Sequence, residues 1–445
     1  MLKRAAAFVT TALVVSTLFA GCGGSASSPA ATPSPTQPAS QPSASDTASQ
    51  SPADNVSGNI QLFTYRDDLL NTWYQQALAD FKTKYPNVTV TTATSKNFEP
   101  DLKVKMSAND MPDIFTLNSV NFSDAQRSQY MLPLDDVFPD LVSQWQGNDV
   151  NVNASDKKTY GLTFGLNGVA LAYNKKIFSD LGLTPPKTLN DLITDGKKIK
   201  ATGKIGFVGC FKQSWNLTQY WNAAQAQMNN EASTYANWLN TDTPFTPDSE
   251  IGKMMNVLSQ LCAAGIMEDD PVSYDWEPYL KDFGSGQAGM AFTWTNTPVQ
   301  YAGRGDGSTT VDDFGMVPFP YDNSGSPAVY ESADWSMAIS KDSKNLPAAE
   351  AFFKWHMDGQ YADYAKNNAE ISARKGTATD IGYLNELAAS SANVHYGVKY
   401  PDDFKTFIDK IQMTFYDQFA DVAAGTSPAD ELNKMNTMWK QGRAQ

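Results

Sequence analysis

The chain predicts an α/β protein built as two lobes, and three observations carry that expectation. Strand-like and helix-like runs alternate from residue 58 onward, the pattern of parallel α/β layers. About 390 residues follow the N-terminal polar stretch, more than one hydrophobic core usually serves. No internal repeat and no further low-complexity run interrupts them.

In chain order, Asn59 to Tyr65 reads as a strand, Leu69 to Tyr85 as a helix and Val88 to Thr92 as a second strand,. A helix from Glu99 to Ala108 then leads to the strand-like run Pro112 to Leu117. The alternation resumes with Val169 to Tyr173, the helical stretch Leu189 to Ile199, and Ile205 to Cys210. Met254 to Ala264 is helical and Met290 to Thr293 strand-like.

Ahead of this body, Lys3 and Arg4 precede an apolar stretch from Ala5 to Ala20 and the small residues Gly21-Cys22. A basic start, a short apolar core and a small-residue end make an export leader over residues 1–21, too short for a membrane span. Leu18-Phe19-Ala20-Gly21-Cys22 also resembles a bacterial lipobox, which makes Cys22 the expected lipidation site and mature N-terminus. Residues 22–57 are then the anchored cysteine and a linker of Ser, Ala, Pro, Thr and Gln. Such a composition buries too little apolar surface to offset chain entropy, and its length gives a reach of roughly 30 Å. The expected location is the outer face of the cytoplasmic membrane, held by the N-terminal lipid only.

Charge narrows the partners. The 34 basic and 48 acidic residues leave −14, and losing Lys3 and Arg4 with the leader takes this to −16. Nucleic acid and anionic lipid surfaces select basic faces, so neither is an expected partner. Beyond Cys22 only Cys210 and Cys262 remain. An exported location permits a bridge between them, and two buried free thiols are the other option.

Several runs together resemble a known family. They are Tyr160 to Gly165, Ala172-Tyr173-Asn174-Lys175-Lys176-Ile177-Phe178 and Leu181 to Leu192, then Met131 to Asp136, Phe283 to Met290, Phe314 to Pro320, Trp335 to Lys341 and Gly425 to Leu432. Their order and spacing are similar to those of extracellular solute-binding proteins of bacterial ABC importers, in the carbohydrate-binding, maltose-binding-protein-like group. The resemblance runs from about residue 59 to residue 440. It implies a two-lobed periplasmic-binding-protein-like fold with a ligand cleft between the lobes and three inter-lobe crossings, near Gly165 to Gly168, Asp334 to Ser340 and Ala388 to Asn393. On that pattern the first lobe is 58–166 plus 340–390, and the second is 167–339 plus 391–445. The implied function is capture of a neutral oligosaccharide and its delivery to the permease subunits, by a monomer whose hinge closes around the ligand. Ser372 stands where the family usually carries Pro before Ala373-Arg374-Lys375-Gly376, a departure in the loop that also holds Glu370.

Sugar rings pair an apolar C–H face with a rim of hydroxyls, so a sugar site needs aromatic platforms beside planar donors and acceptors. Ten Trp, 19 Tyr and 23 Phe supply the aromatics. Trp215, Trp294 and Trp335 lie in or beside strand-end runs, where α/β clefts gather ligand contacts; packed core is the competing reading for each. Trp294 comes two residues before the family's usual tryptophan position, which Asn296 occupies, so either is the contact. The polar candidates are Tyr65 and Asp67 after the first strand, Asn118 after the Pro112 to Leu117 run, Asn167 at the first crossing, and Glu331 with Asp334 before the second. Turn capping competes for each Asn and Asp.

Other chemistries are weakly supported. Gly284-Ser285-Gly286-Gln287-Ala288-Gly289 fits G-x-G-x-x-G but follows a helix and precedes a strand, the reverse of a dinucleotide site. Ser155 to Lys158 fits S-x-x-K without its companion motifs, and Asn240 to Phe245 starts like a calcium loop but lacks its glycine. His356 and His395 are the only histidines and form no metal or triad motif,. No enzyme, cofactor or metal is expected. The competing readings are a tethered extracellular glycoside hydrolase, whose carboxylate pairing is spatial and invisible in sequence, a binding protein for a non-sugar solute, and an adhesive surface lipoprotein.

Overall fold

Among the described residues, the runs that alternate along the chain become eleven strands in two sheets. The computed structural model describes residues 55–444 apart from 71–72, 96, 229–230, 392 and 399. The expected leader, Cys22 and nearly all of the linker lie outside the described residues. The strands are β1 (Gly58–Phe63), β2 (Val88–Ala93), β3 (Ile114–Leu117), β4 (Leu162–Thr163), β5 (Leu166–Asn174), β6 (Ile205–Val208), β7 (Ala288–Trp294), β8 (Phe314–Val317), β9 (Val329–Ala333), β10 (Ser336–Ile339) and β11 (Val394–Tyr396).

The first sheet has the order β2-β1-β3-β10-β4. Both β2 and β3 run parallel to β1, whereas β10 lies antiparallel between β3 and β4. Side chains alternate across a strand, and here both faces are covered. Ile60, Leu62, Ile114, Met337 and Ile339 join the core with Phe81, Phe352 and Tyr364. Phe63, Phe115, Leu117 and Ala338 face the other way, onto Phe98, Leu102 and Met106 of the helix Phe98–Ser107.

The second sheet has the order β11-β9-β5-β7-β6, with β8 also paired to β5. β5 is its spine. Val169, Leu171 and Tyr173 enter the larger core, while Ala170 and Ala172 meet Phe314, Met316 and Leu384 on the opposite face. Local signals set the element ends. Thr188 caps the helix Leu189–Lys200 in a reciprocal box with Asp191,, so this helix starts where the sequence places it. In the C-terminal helix Pro428–Ala444, the fully buried Trp439 donates its indole N–H to the carbonyls of Trp238 and Thr241, each at 3.1 Å.

The lobe boundaries differ from the expected ones in two places. Ser336–Ile339 was expected in the second lobe, but it pairs with β3 and β4, so the chain changes lobes between Ala333 and Ser336. The helix Gly382–Ser390 was expected in the first lobe. Its Tyr383, Leu384 and Leu387 pack with Phe314 and Met316 of β8, which puts the helix with the second sheet. The chain therefore does not change lobes at Ala388 to Asn393. In both places long-range burial of a short apolar run decides the assignment. Cys210 and Cys262 are both free thiols, so the bridge does not form. Among the described residues, no helix is long and apolar enough to cross a membrane.

Candidate functional site

A cavity of about 720 Å³ opens between the two lobes. Asn118, Phe122 and Val150 line it from the first lobe, and Trp221, Gln225, Trp294, Tyr330 and Tyr400 from the second. These walls mix flat aromatic surface with amides. A larger cavity, about 880 Å³, is bounded by the 182–187 loop, Asp191 to Lys198 and the 317–327 segment. It has no aromatic lining and lies within the second lobe alone, so movement of one lobe against the other cannot enclose anything there.

Each wall follows from local structure. Asn118 precedes the turn Ser119–Asn121 but makes no side-chain cap to it, so the capping reading does not account for this residue. Trp221 lies in the helix Thr218–Gln225 and donates its indole N–H to the Tyr400 hydroxyl at 2.8 Å, tying two cavity-lining rings together. Trp294 ends β7 half-buried, with its ring in the cavity wall.

Where the segments linking the lobes meet, a second group of predicted residues gathers. Tyr65 and Trp335 stack with ring centroids 4.0 Å apart and planes 14° apart, and Phe98 meets Trp335 edge-on at 5.7 Å. One face of Trp335 is thus already covered by Tyr65. The Tyr65 N–H donates to Thr116 Oγ1 at 3.1 Å, and the Asp334 N–H donates to the Gly165 carbonyl at 3.0 Å. Beside them lies Glu370, 2% exposed, whose Oε2 has no hydrogen-bond partner. A Cβ on Gly165 would fall 2.4 Å from Glu370 Cβ, so only glycine permits this approach. The left-handed Ala369 (φ 53°) ends the helix Tyr361–Asn368 and turns the chain so that Ile371 pairs with Leu166. Burial and the nearby Asp334 charge push the Glu370 carboxyl well above the usual carboxylate range, against a smaller opposing effect of Arg66.

The remaining predicted residues fall outside the cavity lining. Trp215 is 43% exposed and lies edge-on to Trp276 at 5.2 Å, so it is not packed core. It sits on the β6-to-helix connection whose helix faces the cavity. The Asn167 amide oxygen accepts from Thr295 Oγ1 at 2.8 Å. Glu331 shares β9 with the cavity-lining Tyr330 and Ser332 but occupies the alternate face; burial pushes its carboxyl up to about 7. Asp67 opens the short helix Asp67–Leu70. Of the alternatives Trp294 and Asn296, Trp294 is the one in the cavity lining. Arg66, Trp221, Tyr330 and Tyr400 were not singled out from sequence, and Glu370 was named only for its place beside the Ser372 departure. Only for Arg66 was there a usable signal, its place between the candidates Tyr65 and Asp67.

Chemically, the cavity offers stacking surface and hydrogen-bonding groups, amides beside the charged Lys103, Asp402, Lys405 and Asp409. Among the described residues, no three potential metal-ligating side chains cluster.

Comparison with known proteins gives a concordant result. The family model described as "Bacterial extracellular solute-binding protein" matches residues 66–356. A Bacillus subtilis protein named melibiose/raffinose/stachyose-binding protein MelE is 23% identical over 386 residues, covering 82% of each chain. The multiple sugar-binding protein of Streptococcus mutans is 22% identical over 304 residues, 66% of this chain and 70% of that protein. Among solved structures, an ABC-transporter binding protein from Bifidobacterium animalis subsp. lactis in complex with mannobiose superposes with a TM-score of 0.71 at 20% identity, over 88% of this chain and 96% of that one. The ligand-free RafE of Streptococcus pneumoniae gives 0.70 at 17% identity, over 88% and 100%.

Proposed function

This chain belongs to the bacterial extracellular solute-binding protein family, and we propose that it captures a neutral oligosaccharide outside the cell and delivers it to the permease of an ABC transporter. The observation that carries this reading is the cavity between two sheet-based lobes, lined by aromatic rings and amides. Stacking on the C–H face of a sugar and hydrogen bonding to its rim are the two interactions such a lining supplies. The relatives named for sugars and the mannobiose complex point the same way.

In this proposal Trp294 and Asn118 contact the ligand from opposite lobes. Tyr65, Trp335, Asn296 and Asp334 form the floor where the linking segments meet, and Trp215 supplies an outer platform. Asp67, Asn167 and Glu331 shape the surrounding loops and strand ends. Closure of the lobes traps the sugar and presents a changed surface to the permease. The protein acts as a monomer, tethered through lipidated Cys22 and the polar linker.

Calorimetric titration of the mature chain with raffinose, stachyose, mannotriose and other neutral oligosaccharides tests the reading. The expected result is saturable one-to-one binding of at least one of them, with the sugar recovered unchanged. Cleavage of a bound sugar, or binding confined to amino acids, peptides or polyols, would replace it.

A further inference from the structure

Behind the second-lobe wall of the cavity lies a buried carboxylate that is not itself part of the lining. Glu231 opens the helix Glu231–Leu239 and is 3% exposed. Burying an acidic side chain is costly unless its oxygens are hydrogen-bonded, and here four groups meet the two oxygens. Gln225 Nε2 donates to Oε1 at 2.6 Å, and the Tyr235 hydroxyl donates to the same oxygen. His395 Nε2 lies 2.9 Å from Oε2, and the Val398 N–H donates to that oxygen at 3.4 Å.

Two of these groups, on Gln225 and Val398, belong to residues of the cavity lining. The His395 ring stacks on Tyr330, also in the lining, with centroids 5.9 Å apart and planes 20° apart. The chain passes close over Tyr330: a Cβ on Gly397 would fall 1.9 Å from its hydroxyl oxygen, so only glycine fits between Tyr396 and Val398. One carboxylate thus fastens the helix Thr218–Gln225 to the 394–400 segment across the back of the wall. A buried polar network satisfied in this way holds its members rigidly.

The consequence for the cavity lies in the Gln225 amide. An amide has one acceptor oxygen and one donor nitrogen, and its partners decide which way it faces. A carboxylate only accepts, so it must meet the nitrogen. Nε2 also donates to the Tyr235 hydroxyl at 2.9 Å. Both amide protons are therefore spent on the protein, and Oε1 is the atom left to the cavity.

We infer that Glu231 is a positioning residue of the ligand site: it locks Gln225 as a hydrogen-bond acceptor, and Gln225 Oε1 takes a hydrogen bond from a hydroxyl of the bound sugar. The inference rests on the proposed sugar-binding function and deepens it by naming an acceptor and the residue that orients it. A turned amide would offer N–H donors instead, which an alkylated sugar oxygen satisfies as well as a free hydroxyl does. The locked orientation accordingly favours a free hydroxyl at this point of the ligand over a blocked one.

The test measures affinity for raffinose, stachyose and mannotriose by calorimetry, with the mature chain, Glu231→Gln, Gln225→Met and the double variant. Glu231→Gln leaves one acceptor oxygen for the four groups and frees the Gln225 amide to turn. Gln225→Met keeps the side-chain length and removes the amide. One hydrogen bond corresponds to roughly three- to tenfold in affinity. Each single variant should bind the saccharide that wild type binds more weakly by about that factor, and the double variant no more weakly than Gln225→Met. Losses that multiply in the double variant would overturn the positioning role, because a purely structural Glu231 acts whether or not the amide is present. A crystal structure of wild type with the bound saccharide decides the matter without any variant. The inference expects a ligand hydroxyl within about 3 Å of Gln225 Oε1, and a sugar seated in the cavity without that contact would overturn it. Failure of wild type to bind any saccharide would instead remove the sugar reading, and the acceptor role with it.

Discussion

Replacing Glu331 by Gln should stabilise the protein at neutral and alkaline pH and do little in acid. Glu331 is 9% exposed, and burial pushes its carboxyl from 4.5 up to about 7. Each pK unit corresponds to 1.36 kcal/mol, so ionisation in the unfolded chain favours unfolding by about 3 kcal/mol once pH passes the folded value. The sign follows from the direction of the shift. Below about pH 4.5 both states hold the proton and nothing is lost; between there and about 7 the unfolded state releases it first and stability falls; above about 7 the loss is constant. Gln keeps a neutral side chain of similar shape and removes the effect. Urea unfolding at about pH 4.5 and about pH 8 should therefore show the Glu331→Gln advantage growing by about 3 kcal/mol at the higher pH. An advantage that is the same at both pH values would refute the assignment of a buried, neutral Glu331.

Two further outcomes follow from the same geometry. Trp294→Ala removes the aromatic wall that the second lobe presents to the cavity and should weaken oligosaccharide binding by about 2 kcal/mol or more, roughly thirtyfold, by calorimetry. Gly165→Ala places a methyl group 2.4 Å from Glu370 Cβ. It should lower the melting temperature by several degrees, consistent with an overpacking cost of about 1–3 kcal/mol, and weaken binding in parallel.

The alternation of strands and helices was legible because both sheets are covered on two faces, so β5 and β3 read as continuous apolar runs. Helix starts were legible where caps are local, as at Thr188. Lobe boundaries were less so. Met337-Ala338-Ile339 is apolar enough to fill a gap in either sheet, and only its pairing with β3 and β4 assigns it to the first. The helix Gly382–Ser390 posed the same problem, since its apolar face fits either lobe until β8 is in place.

Within the site, residues beside strand ends were found and those brought in by long-range packing were not. Tyr65, Asn118, Trp294 and Asp334 follow or end strands that position reveals. Trp221 lies in a helix whose every residue from Gln219 to Gln225 is buried, so no pattern separates its cavity face from its core face. Tyr400 joins it only through a hydrogen bond across 179 positions. Glu370 sits where the resemblance was weakest, at the Ser372 departure. There Ser372 Oγ accepts from the Arg374 N–H at 3.2 Å, and Tyr361 receives the Ala373 N–H at 2.7 Å.

Small-angle scattering of the mature chain, recorded without sugar and at saturation with the oligosaccharide that calorimetry shows to bind, tests lobe closure most directly. The account predicts a smaller radius of gyration in the bound state, with the oligosaccharide intact afterwards. A profile that does not change at saturation, or the appearance of cleaved sugar, would contradict capture by closure between the lobes.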